Sequence, residues 1–212
     1  MKEYWQKRYL KDGKIWGNVP SKTAEHALKL FQERNINKLL VLGAGYGRNS
    51  KLFSDYNLDV IGIEISENAL NIAKSHDPKT KLILGNILDI SFDNESYDAI
   101  YCFNLLHLFL QKERMMLIRK CMSQLNSNAF IYFVVFSEKE KSYGKGKEIE
   151  LHTFESKPGR PTHYFSEEDL IAHFKDFLII QTGIVKDKEN HGDLGEHVHV
   201  LRYIFAQKKE KK

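Results

Sequence analysis

The sequence predicts an α/β protein with a doubly wound, mostly parallel sheet. From Lys38 onward, short apolar runs alternate with amphipathic stretches at about 20 to 30 residues per unit, which is typical of β-α-β repeats. Apolar residues make up 42% and charged residues 28% of the chain, the balance of an ordinary globular protein. With 212 residues, the chain is long enough for one domain with a full hydrophobic core and short for two.

The apolar runs predict the strands, and the stretches between them predict the helices. The expected strands are 39–42, 59–65, 81–85, 97–103 and 129–136. The expected helices are 49–56, 66–75 and 112–125. Ser66 is expected to be an N-cap, because its hydroxyl can accept a hydrogen bond from a free N–H of the first helical turn.

The last third of the chain has a different character. Residues 137–165 are polar and too long for a simple connection, so we expect a lid or substrate loop there. A helix is predicted at 166–174, where Ser166 and Asp169 have the spacing of a capping box. The segments 177–185 and 197–207 predict two strands that form an antiparallel pair at a sheet edge.

The segment before the first strand predicts a helix at 23–34, preceded by an irregular arm that carries Trp5 and Trp16. All parts are expected to form a single domain. Its expected parts are 1–37, 38–136, 137–165, 166–207 and a basic tail at 208–212.

Composition disfavours several functional classes. Much of the net charge of +4 comes from the terminal KKEKK and from 139–147, so it does not by itself indicate nucleic-acid binding. No apolar run approaches the ~20 residues of a membrane span, and the N-terminus lacks the apolar core of a signal peptide. Cys102 and Cys121 have no CxxC spacing. We therefore expect a cytoplasmic monomer or homodimer with no membrane partner and with nucleic acid disfavoured as a partner.

The stretch KLLVLGAGYGRNSKLF at 38–53 predicts a cofactor loop between a strand and a helix. Its glycines, Gly43, Gly45 and Gly47, have the spacing G-x-G-x-G. A dinucleotide loop needs G-x-G-x-x-G, and Arg48 stands where that third glycine belongs. Glu64 ends the second strand, where a carboxylate can accept hydrogen bonds from ribose hydroxyls of either cofactor class. The loop spacing therefore favours S-adenosylmethionine over a nicotinamide dinucleotide.

The segment GNILDISFDNESYDAI at 85–100 resembles a pattern of class I S-adenosylmethionine-dependent methyltransferases. In that resemblance Asn86 reads the adenine amino group and Ile87 packs on the ring, although the family more often has Asp at this position. The resemblance covers essentially the whole chain. It implies a Rossmann-like, seven-stranded sheet with an antiparallel final strand hairpin, and it makes 38–136 the cofactor-binding half. The N-terminal arm and the ending EHVHVLRYIFAQKK resemble the small-molecule methyltransferases of the tellurite-resistance (TehB-like) and thiopurine-methyltransferase-like type.

The resemblance and the loop together imply a set of cofactor-binding residues. These are Trp16, Gly43, Ala44, Gly45, Tyr46, Gly47, Arg48, Asn49, Glu64, Ile65, Asn86, Ile87 and Phe103. Aromatic faces suit a sulfonium cation through cation–π attraction. The aromatic candidates are Trp5, Trp16, Tyr46, Phe103 and Tyr143. For Trp5 and Trp16, a purely structural packing role stays open.

The candidate catalytic residues are His107, His199 and Arg202. His107 and Asn104 follow the fourth strand, at the edge where ligands of open α/β sheets bind. His107 can act as a general base or orient the substrate; a half-buried histidine with a backbone partner is the alternative.

His197 and His199 share one strand face, which suits a metal or a substrate anion. Their neighbourhood, which includes His191, lacks zinc-ligand spacing, so no metal is predicted. In the tellurite-type relatives, a histidine and arginines near the last strand line the substrate pocket. This implies a substrate side here, which the lid can complete with Arg160, His163 and Tyr164. Such a pocket favours a small anionic or soft nucleophile, such as a thiol or a metalloid oxyanion.

Three other functions remain open. An NAD(P)-dependent oxidoreductase is weakened by Arg48 in the loop. A non-catalytic S-adenosylmethionine-binding protein would show the same loop. An RNA or protein methyltransferase is kept open by the basic 139–147 segment, although the chain has neither an N/D-P-P-Y/F motif nor a Pro-Cys pair.

Overall fold

The computed structural model of the chain describes residues 1–89, 96–190 and 196–209. Contacts between residues divide the chain into two compact units. Unit 1 contains residues 1–91 and 187–198, and unit 2 contains residues 92–186 and 199–212. The expected glycine loop lies in unit 1, and most of the expected substrate side lies in unit 2.

Unit 1 is built from β-α-β repeats preceded by two helices. In chain order its elements are α1 (Lys2–Asp12), α2 (Lys22–Gln32), β1 (Lys38–Leu42), α3 (Ser50–Asp55), β2 (Asp59–Glu64), α4 (Glu67–His76) and β3 (Lys81–Leu84). β2 lies between β1 and β3 and is parallel to both, with Leu40 opposite Ile61 and Ile63 opposite Ile83. Ser66 caps α4, as expected, by accepting a hydrogen bond from the Ala69 N–H.

Unit 2 begins with a parallel strand pair and continues into a small separate sheet. The elements from here on are β4 (Tyr97–Phe103), a short 3-10 turn (Leu106–Leu108), α5 (Gln111–Gln124), β5 (Leu125–Phe136), β6 (Lys147–Glu150), β7 (Thr153–Lys157), β8 (Arg160–His163), α6 (Glu167–His173), β9 (Phe177–Asn190) and β10 (Glu196–Lys208). The end of β9 from residue 187 and the start of β10 up to residue 198 belong to unit 1. β4 and β5 are parallel, and nearly every residue of β4 is buried. Antiparallel pairing joins β7 to both β6 and β8.

The main sheet has seven strands in the order β3-β2-β1-β4-β5-β10-β9. β10 runs antiparallel to β5, with Phe205 opposite Tyr132, and β9 is the edge strand. The expected Rossmann-like α/β fold with antiparallel strands at its C-terminal end is confirmed. None of the helices that can be described combines the length and the apolar character needed to span a membrane.

Three local expectations are wrong. The N-terminal arm is a regular helix, α1; its composition is strongly polar and it buries only Tyr9, so its apolar periodicity is weak. Residues 137–165, expected as a lid or substrate loop, are not a loop throughout, because they contain the three-stranded sheet of β6, β7 and β8; a lid or substrate role stays a prediction. The capping box of α6 is half formed: Ser166 accepts from the Asp169 N–H, but the Asp169 carboxylate binds two histidines instead of closing the box.

Candidate functional site

The glycine loop of unit 1 has a backbone that only glycine adopts readily. Gly43, Gly45 and Gly47 have φ angles of 66°, 59° and 90°, in the left-handed region. Between them, the Ala44 N–H donates to the carbonyl of Ile63 at 3.0 Å, which fastens the loop to the end of β2. The three glycines are therefore required by the conformation of the turn, and the loop leads directly into α3.

Close packing gives a second reason for the third glycine. A Cβ atom on Gly47 would lie 2.5 Å from the Cβ of Asp77, closer than real Cβ contacts come. Asp77 is 1% exposed and accepts hydrogen bonds from the hydroxyls of Ser50 and Ser54, at 2.5 and 3.0 Å. This buried carboxylate ties α3 to the end of α4. Sequence reasoning missed Asp77, since no motif marks it.

Glu64, at the end of β2, is fixed beside the loop by main-chain hydrogen bonds. One carboxylate oxygen accepts from the Gly45 N–H at 2.9 Å and the other from the Ser66 N–H at 2.8 Å. Burial raises the pKa of Glu64, while these bonds act in the opposite direction. Each carboxylate oxygen carries two lone pairs, so the fixed group can still accept a bond from a ligand hydroxyl.

The other polar side chains of the loop hold the segment that precedes α2. The Tyr46 hydroxyl donates to the carbonyl of Gly17 at 2.7 Å, and the Trp16 N–H donates to that hydroxyl at 3.2 Å. The Arg48 Nε–H donates to the carbonyl of Val19 at 2.7 Å. Asn49 accepts from the N–H of Ser21 at 3.0 Å. The structure thus shows these three predicted cofactor residues anchoring the 16–21 segment; their contact with the cofactor stays a prediction.

An aromatic cluster covers the loop within unit 1. Trp16 stacks on Tyr46 with ring centroids 6.3 Å apart and an angle of 15° between the planes. Tyr9 lies edge-on to Tyr46 at 6.2 Å, and Trp5 approaches Trp16 at 6.1 Å. The two tryptophans are therefore both in contact with the core of the unit, as a packing role requires. An aromatic surface beside the loop is also what a sulfonium ligand requires.

The remaining cofactor candidates of unit 1 lie near the ends of β2 and β3. Ile65 follows Glu64 and is half-buried, and Ile87 is 5% exposed. The Asn86 side chain forms a local turn, because its amide N–H donates to Asp89 at 2.7 Å and its oxygen accepts from the Leu88 N–H at 3.2 Å. Reading of adenine by Asn86 stays a prediction.

A cavity of about 350 Å³ adjoins Trp16 in unit 1. Its charged and polar lining includes Lys22, Glu25 and Arg48. The volume lies in the range of small-molecule sites. The aromatic cluster therefore has room for a ligand beside it.

In unit 2, the segment after β4 contains two buried polar atoms with no hydrogen-bond partner among the residues described, the Asn104 Oδ1 and the His107 Nδ1. Asn104 has a left-handed φ of 50°, and its N–H donates to the carbonyl of Val134 at 3.0 Å. Phe103, just before it, is half-buried. Because buried polar atoms normally have partners, this segment is a candidate ligand contact.

His107 and His199 are brought together by Phe136. The ring of His107 stacks on Phe136 at 4.2 Å, and the ring of His199 stacks on Phe136 at 5.2 Å. Burial, followed by the charges of His199 and His163, lowers the pKa of His107 to about 3, so its imidazole is neutral at pH 7.

Glu140 orients His199. One carboxylate oxygen lies 3.2 Å from the His199 Nδ1, and the other accepts from the Val200 N–H at 2.6 Å. Burial opposes ionisation of Glu140, but the bonds from His199 and Val200 lower its pKa on balance. A carboxylate–imidazole pair of this kind fixes the ring in one orientation.

Arg202 is engaged inside unit 2. It is 4% exposed, and its guanidinium donates to both carboxylate oxygens of Glu138, at 2.9 and 3.1 Å. Its Nε–H donates to the carbonyl of Phe165 at 3.3 Å. The charge of Arg202 is therefore paired with Glu138 inside the unit; a substrate-binding role of Arg202 stays a prediction.

A second group of histidines surrounds Asp169. The His163 Nε2 lies 2.7 Å from one oxygen of Asp169, and the His173 Nδ1 lies 3.2 Å from the other. The ligand atoms of these three residues lie within 4.8 Å of one another, close enough to hold a metal ion. The Arg114 Nε–H, however, donates to the His173 Nε2 at 3.1 Å. His173 then carries its proton on Nδ1, so this nitrogen donates to Asp169 and offers no lone pair to a metal.

Together, His107, His163, His173 and His199 form the histidine-rich region of unit 2. Burial lowers the pKa of His163 although Asp169 acts to raise it; the same carboxylate has a lowered pKa, since its bonds to both histidines outweigh burial. Sequence reasoning missed His173 and Arg114, which come from two separate helices. The absence of a metal stays a prediction.

The remaining substrate candidates are spread over the small sheet and the final strand. Tyr143 and Tyr164 are in edge-on ring contact at 5.5 Å, and the Tyr164 hydroxyl donates to Ser142. Arg160 begins β8 and is half-buried. His197 is exposed on β10. His191, named with the metal alternative, lies outside the described residues.

The comparisons with known proteins agree with the prediction that the glycine loop belongs to a methyltransferase. Residues 40–133 match the family Methyltransf_11, described as a methyltransferase domain. The matched segment starts in β1 and ends in β5, so it contains the glycine loop, Glu64, Asn86 and His107.

Two curated relatives are methyltransferases. A 24-methylenesterol C-methyltransferase 2 of Arabidopsis thaliana is 28% identical over an alignment of 99 residues that covers 40% of this chain and 27% of the relative. A ubiquinone biosynthesis O-methyltransferase of Coxiella burnetii is 25% identical over 109 residues, 50% of this chain and 46% of the relative. The chain therefore matches less than half the length of each.

Solved structures share the fold. A Burkholderia thailandensis 1,6-didemethyltoxoflavin-N1-methyltransferase with bound S-adenosylhomocysteine has a TM-score of 0.73 at 15% identity, covering 99% of this chain and 87% of the other. TehB from Haemophilus influenzae has a TM-score of 0.66 at 18% identity, covering 98% and 67%.

The comparisons agree with the coarse prediction: residues 40–133 are similar to a methyltransferase domain, and the solved structures share the fold. The activity of the whole protein and its cofactor, S-adenosylmethionine, stay predictions.

Proposed function

We propose that the protein is an enzyme that transfers a methyl group from S-adenosylmethionine to a small-molecule acceptor. The observation that carries the proposal is the glycine loop of residues 43–47, whose left-handed backbone lies beside a carboxylate held by the Gly45 and Ser66 N–H groups. The loop is within the segment that matches a methyltransferase domain. A cytoplasmic location and a monomeric or homodimeric state remain predictions from composition.

The described residues fit the cofactor. The glycines give the loop its left-handed backbone next to Glu64, and Glu64 can accept hydrogen bonds from ribose hydroxyls. Trp16 and Tyr46 supply aromatic faces next to the loop. When bound, S-adenosylmethionine supplies a methyl group on a sulfonium centre, which an acceptor takes in line. The contribution of the protein is then to position the two reactants and to exclude water.

The acceptor side is proposed for the histidine-rich region. Since His107 is neutral at pH 7, one of its ring nitrogens has a free lone pair and can accept a hydrogen bond that orients an acceptor such as a thiol. Asn104 and His107 both have a buried polar atom available to a ligand. Because Glu138 neutralises Arg202, a thiol is favoured over a metalloid oxyanion as the first acceptor class to screen. A tellurite-type or thiopurine-type specificity belongs to the same proposal.

The testing experiment is calorimetric titration of the purified protein with S-adenosylhomocysteine, NAD⁺ and NADP⁺. We expect S-adenosylhomocysteine alone to bind. The variant Glu64→Gln should weaken binding by about 10- to 100-fold, the loss of hydrogen bonds to a charged group. A circular dichroism spectrum unchanged by the substitution is the control for folding.

Binding of a nicotinamide dinucleotide instead would overturn the proposal in favour of an oxidoreductase. If S-adenosylhomocysteine binds, turnover is assayed with small thiols, metalloid oxyanions, RNA and protein fractions. Methylation of RNA or protein alone, or of no acceptor, would support the macromolecular or the non-catalytic alternative.

A further inference from the structure

We propose that Tyr9 is a further cofactor-binding residue, and that helix α1 is a closing element that carries its hydroxyl onto the glycine loop and is fastened there by Gln6. The inference rests on the proposed function, because the ligand is the cofactor of that loop. All residues involved belong to unit 1.

The hydroxyl of Tyr9 lies directly over the loop. A Cβ atom on Gly45 would be only 2.9 Å from this hydroxyl oxygen. The hydroxyl therefore fits at this position because residue 45 has no side chain. Tyr9 is 5% exposed and is held by ring contacts with Trp5, Trp16 and Tyr46. The aromatic cluster therefore fixes the direction in which the phenol points.

The Tyr9 hydroxyl and the Glu64 carboxylate both lie next to Gly45 of the loop, one as a hydrogen-bond donor and the other as an acceptor. Burial and then the charge of Glu64 raise the pKa of Tyr9 well above its usual value, so the hydroxyl remains a hydrogen-bond donor at neutral pH. Glu64, an acceptor, binds the N–H of Gly45. A ligand on the loop thus meets a donor and an acceptor together, which suits the hydroxyl and amino-acid groups of S-adenosylmethionine.

Gln6 fastens α1 to the first turn of α4. Its side-chain oxygen accepts from the Ser66 hydroxyl at 2.7 Å and from the Asn68 N–H at 3.0 Å. Its main-chain carbonyl accepts from the Asn68 side chain at 2.9 Å. Two of the three bonds depend on the Gln6 amide, so a single side chain controls how firmly the helix is closed.

Substitutions of Gln6 and of Tyr9 should change the rate constants of cofactor binding in different ways. If α1 must open for the cofactor to enter or leave, weakening the Gln6 bonds raises both the association and the dissociation rate constants. Removing the Tyr9 hydroxyl deletes one contact of the bound state, so it raises the dissociation rate constant and leaves association nearly unchanged.

The test measures S-adenosylhomocysteine binding to the full chain by surface plasmon resonance. Tyr9→Phe should raise Kd by about threefold to tenfold, the loss of one hydrogen bond, through dissociation. Gln6→Ala should raise both rate constants about threefold or more, while Gln6→Glu, which keeps the accepting oxygen, should resemble the wild type. Tyr56→Phe, at a tyrosine 56% exposed at the end of α3, is the matched control and should change nothing.

A second measurement uses limited proteolysis instead of binding kinetics. Lys7, Arg8 and Lys11 place trypsin sites in α1, and saturating S-adenosylhomocysteine should slow their cleavage in the wild type and less so in Gln6→Ala. This inference alone would be overturned if Tyr9→Phe and Gln6→Ala both had wild-type rate constants and S-adenosylhomocysteine did not protect α1 from trypsin. A wild-type protein that binds no S-adenosylhomocysteine would overturn the proposed function as well.

Discussion

The glycine loop of unit 1 and the histidine-rich region of unit 2 are both polar structures inside apolar surroundings, but they are held together differently. In the loop, main-chain groups make the decisive contacts: Glu64 binds two backbone N–H groups, and Tyr46, Arg48 and Asn49 bind the backbone of 16–21. In the histidine-rich region, side chains bind side chains, as His163 and His173 bind Asp169.

The difference shows what residue spacing can encode. A turn built from main-chain groups needs glycines at fixed positions, so its geometry is visible in the sequence. A network of side-chain pairs needs only compatible partners, and these come from separate elements; Arg114, Thr153, His163 and His173 lie on α5, β7, β8 and α6. The stability of the glycine loop should therefore fall when a substitution adds side-chain atoms. The stability of the histidine-rich region should fall when a substitution removes a charge.

The largest expected effect is on the loop. Gly47→Ala should lower the free energy of unfolding by about 3 kcal/mol, because it adds a left-handed non-glycine residue and a clash with Asp77. Gly144→Ala is the control: its φ is 78°, and a Cβ there would have no atom within 4 Å among the described residues. It should cost about 1 to 2 kcal/mol. Equal losses in urea unfolding would show that Asp77 moves aside.

The second-largest effect on stability is expected in the histidine-rich region, when the charge of Asp169 is removed. Asp169→Asn should destabilise the protein by about 2 kcal/mol, since it removes the charge that bonds to His163, while His173 keeps the main-chain carbonyl of residue 169 at 2.8 Å. Glu168→Gln, on the same helix turn but exposed, should leave the urea midpoint unchanged. A midpoint for Asp169→Asn equal to that of the wild type would mean that the histidines find other partners.

Acidification should weaken the same region. The unfolded chain protonates His107 near its ordinary pKa of about 6.5, whereas the folded chain resists protonation until about pH 3, so stability is present above pH 6.5 and is lost as pH falls below it. His107 alone should cost about 2 kcal/mol between pH 7 and pH 5. His107→Phe should flatten this part of the stability profile. An unchanged slope in the variant would assign the loss to other groups.

The smallest effect concerns the anchoring of the 16–21 segment. Tyr46→Phe removes the hydroxyl that bonds to Gly17 and Trp16 and should cost about 1 kcal/mol, measured by thermal unfolding. Tyr56→Phe is the control, at a tyrosine 56% exposed at the end of α3. A cost near zero would mean that ring stacking on Trp16 holds the segment by itself.

Much of the fold could be predicted because most strands of the main sheet contain a compact apolar run. Strands such as Lys38–Leu42 and Tyr97–Phe103 appear within a residue or two of their expected bounds. Helix α1 was missed because contacts with α4, such as those of Gln6, stabilise it rather than an apolar stripe of its own. The strands β6, β7 and β8 were missed because they are short and polar, without the alternation of apolar and polar residues that marks a half-buried strand.

The candidate site also has one part that could be predicted from the sequence and one part that could not. Gly43, Gly45, Gly47 and Glu64 follow from spacing, and the structure places them together. The partners of Arg202 could not be foreseen, because Glu138 is 64 residues away in the chain and no periodicity connects them. A titratable residue in a sequence carries no mark of whether its charge is neutralised internally.

The aromatic cluster over the glycine loop gives the protein a built-in optical probe. The chain has two tryptophans, Trp5 and Trp16, and both belong to this cluster. The tryptophan emission therefore comes entirely from one patch of unit 1. A change in its intensity or wavelength on adding a compound reports on α1 and the loop, with no label and no engineered fluorophore.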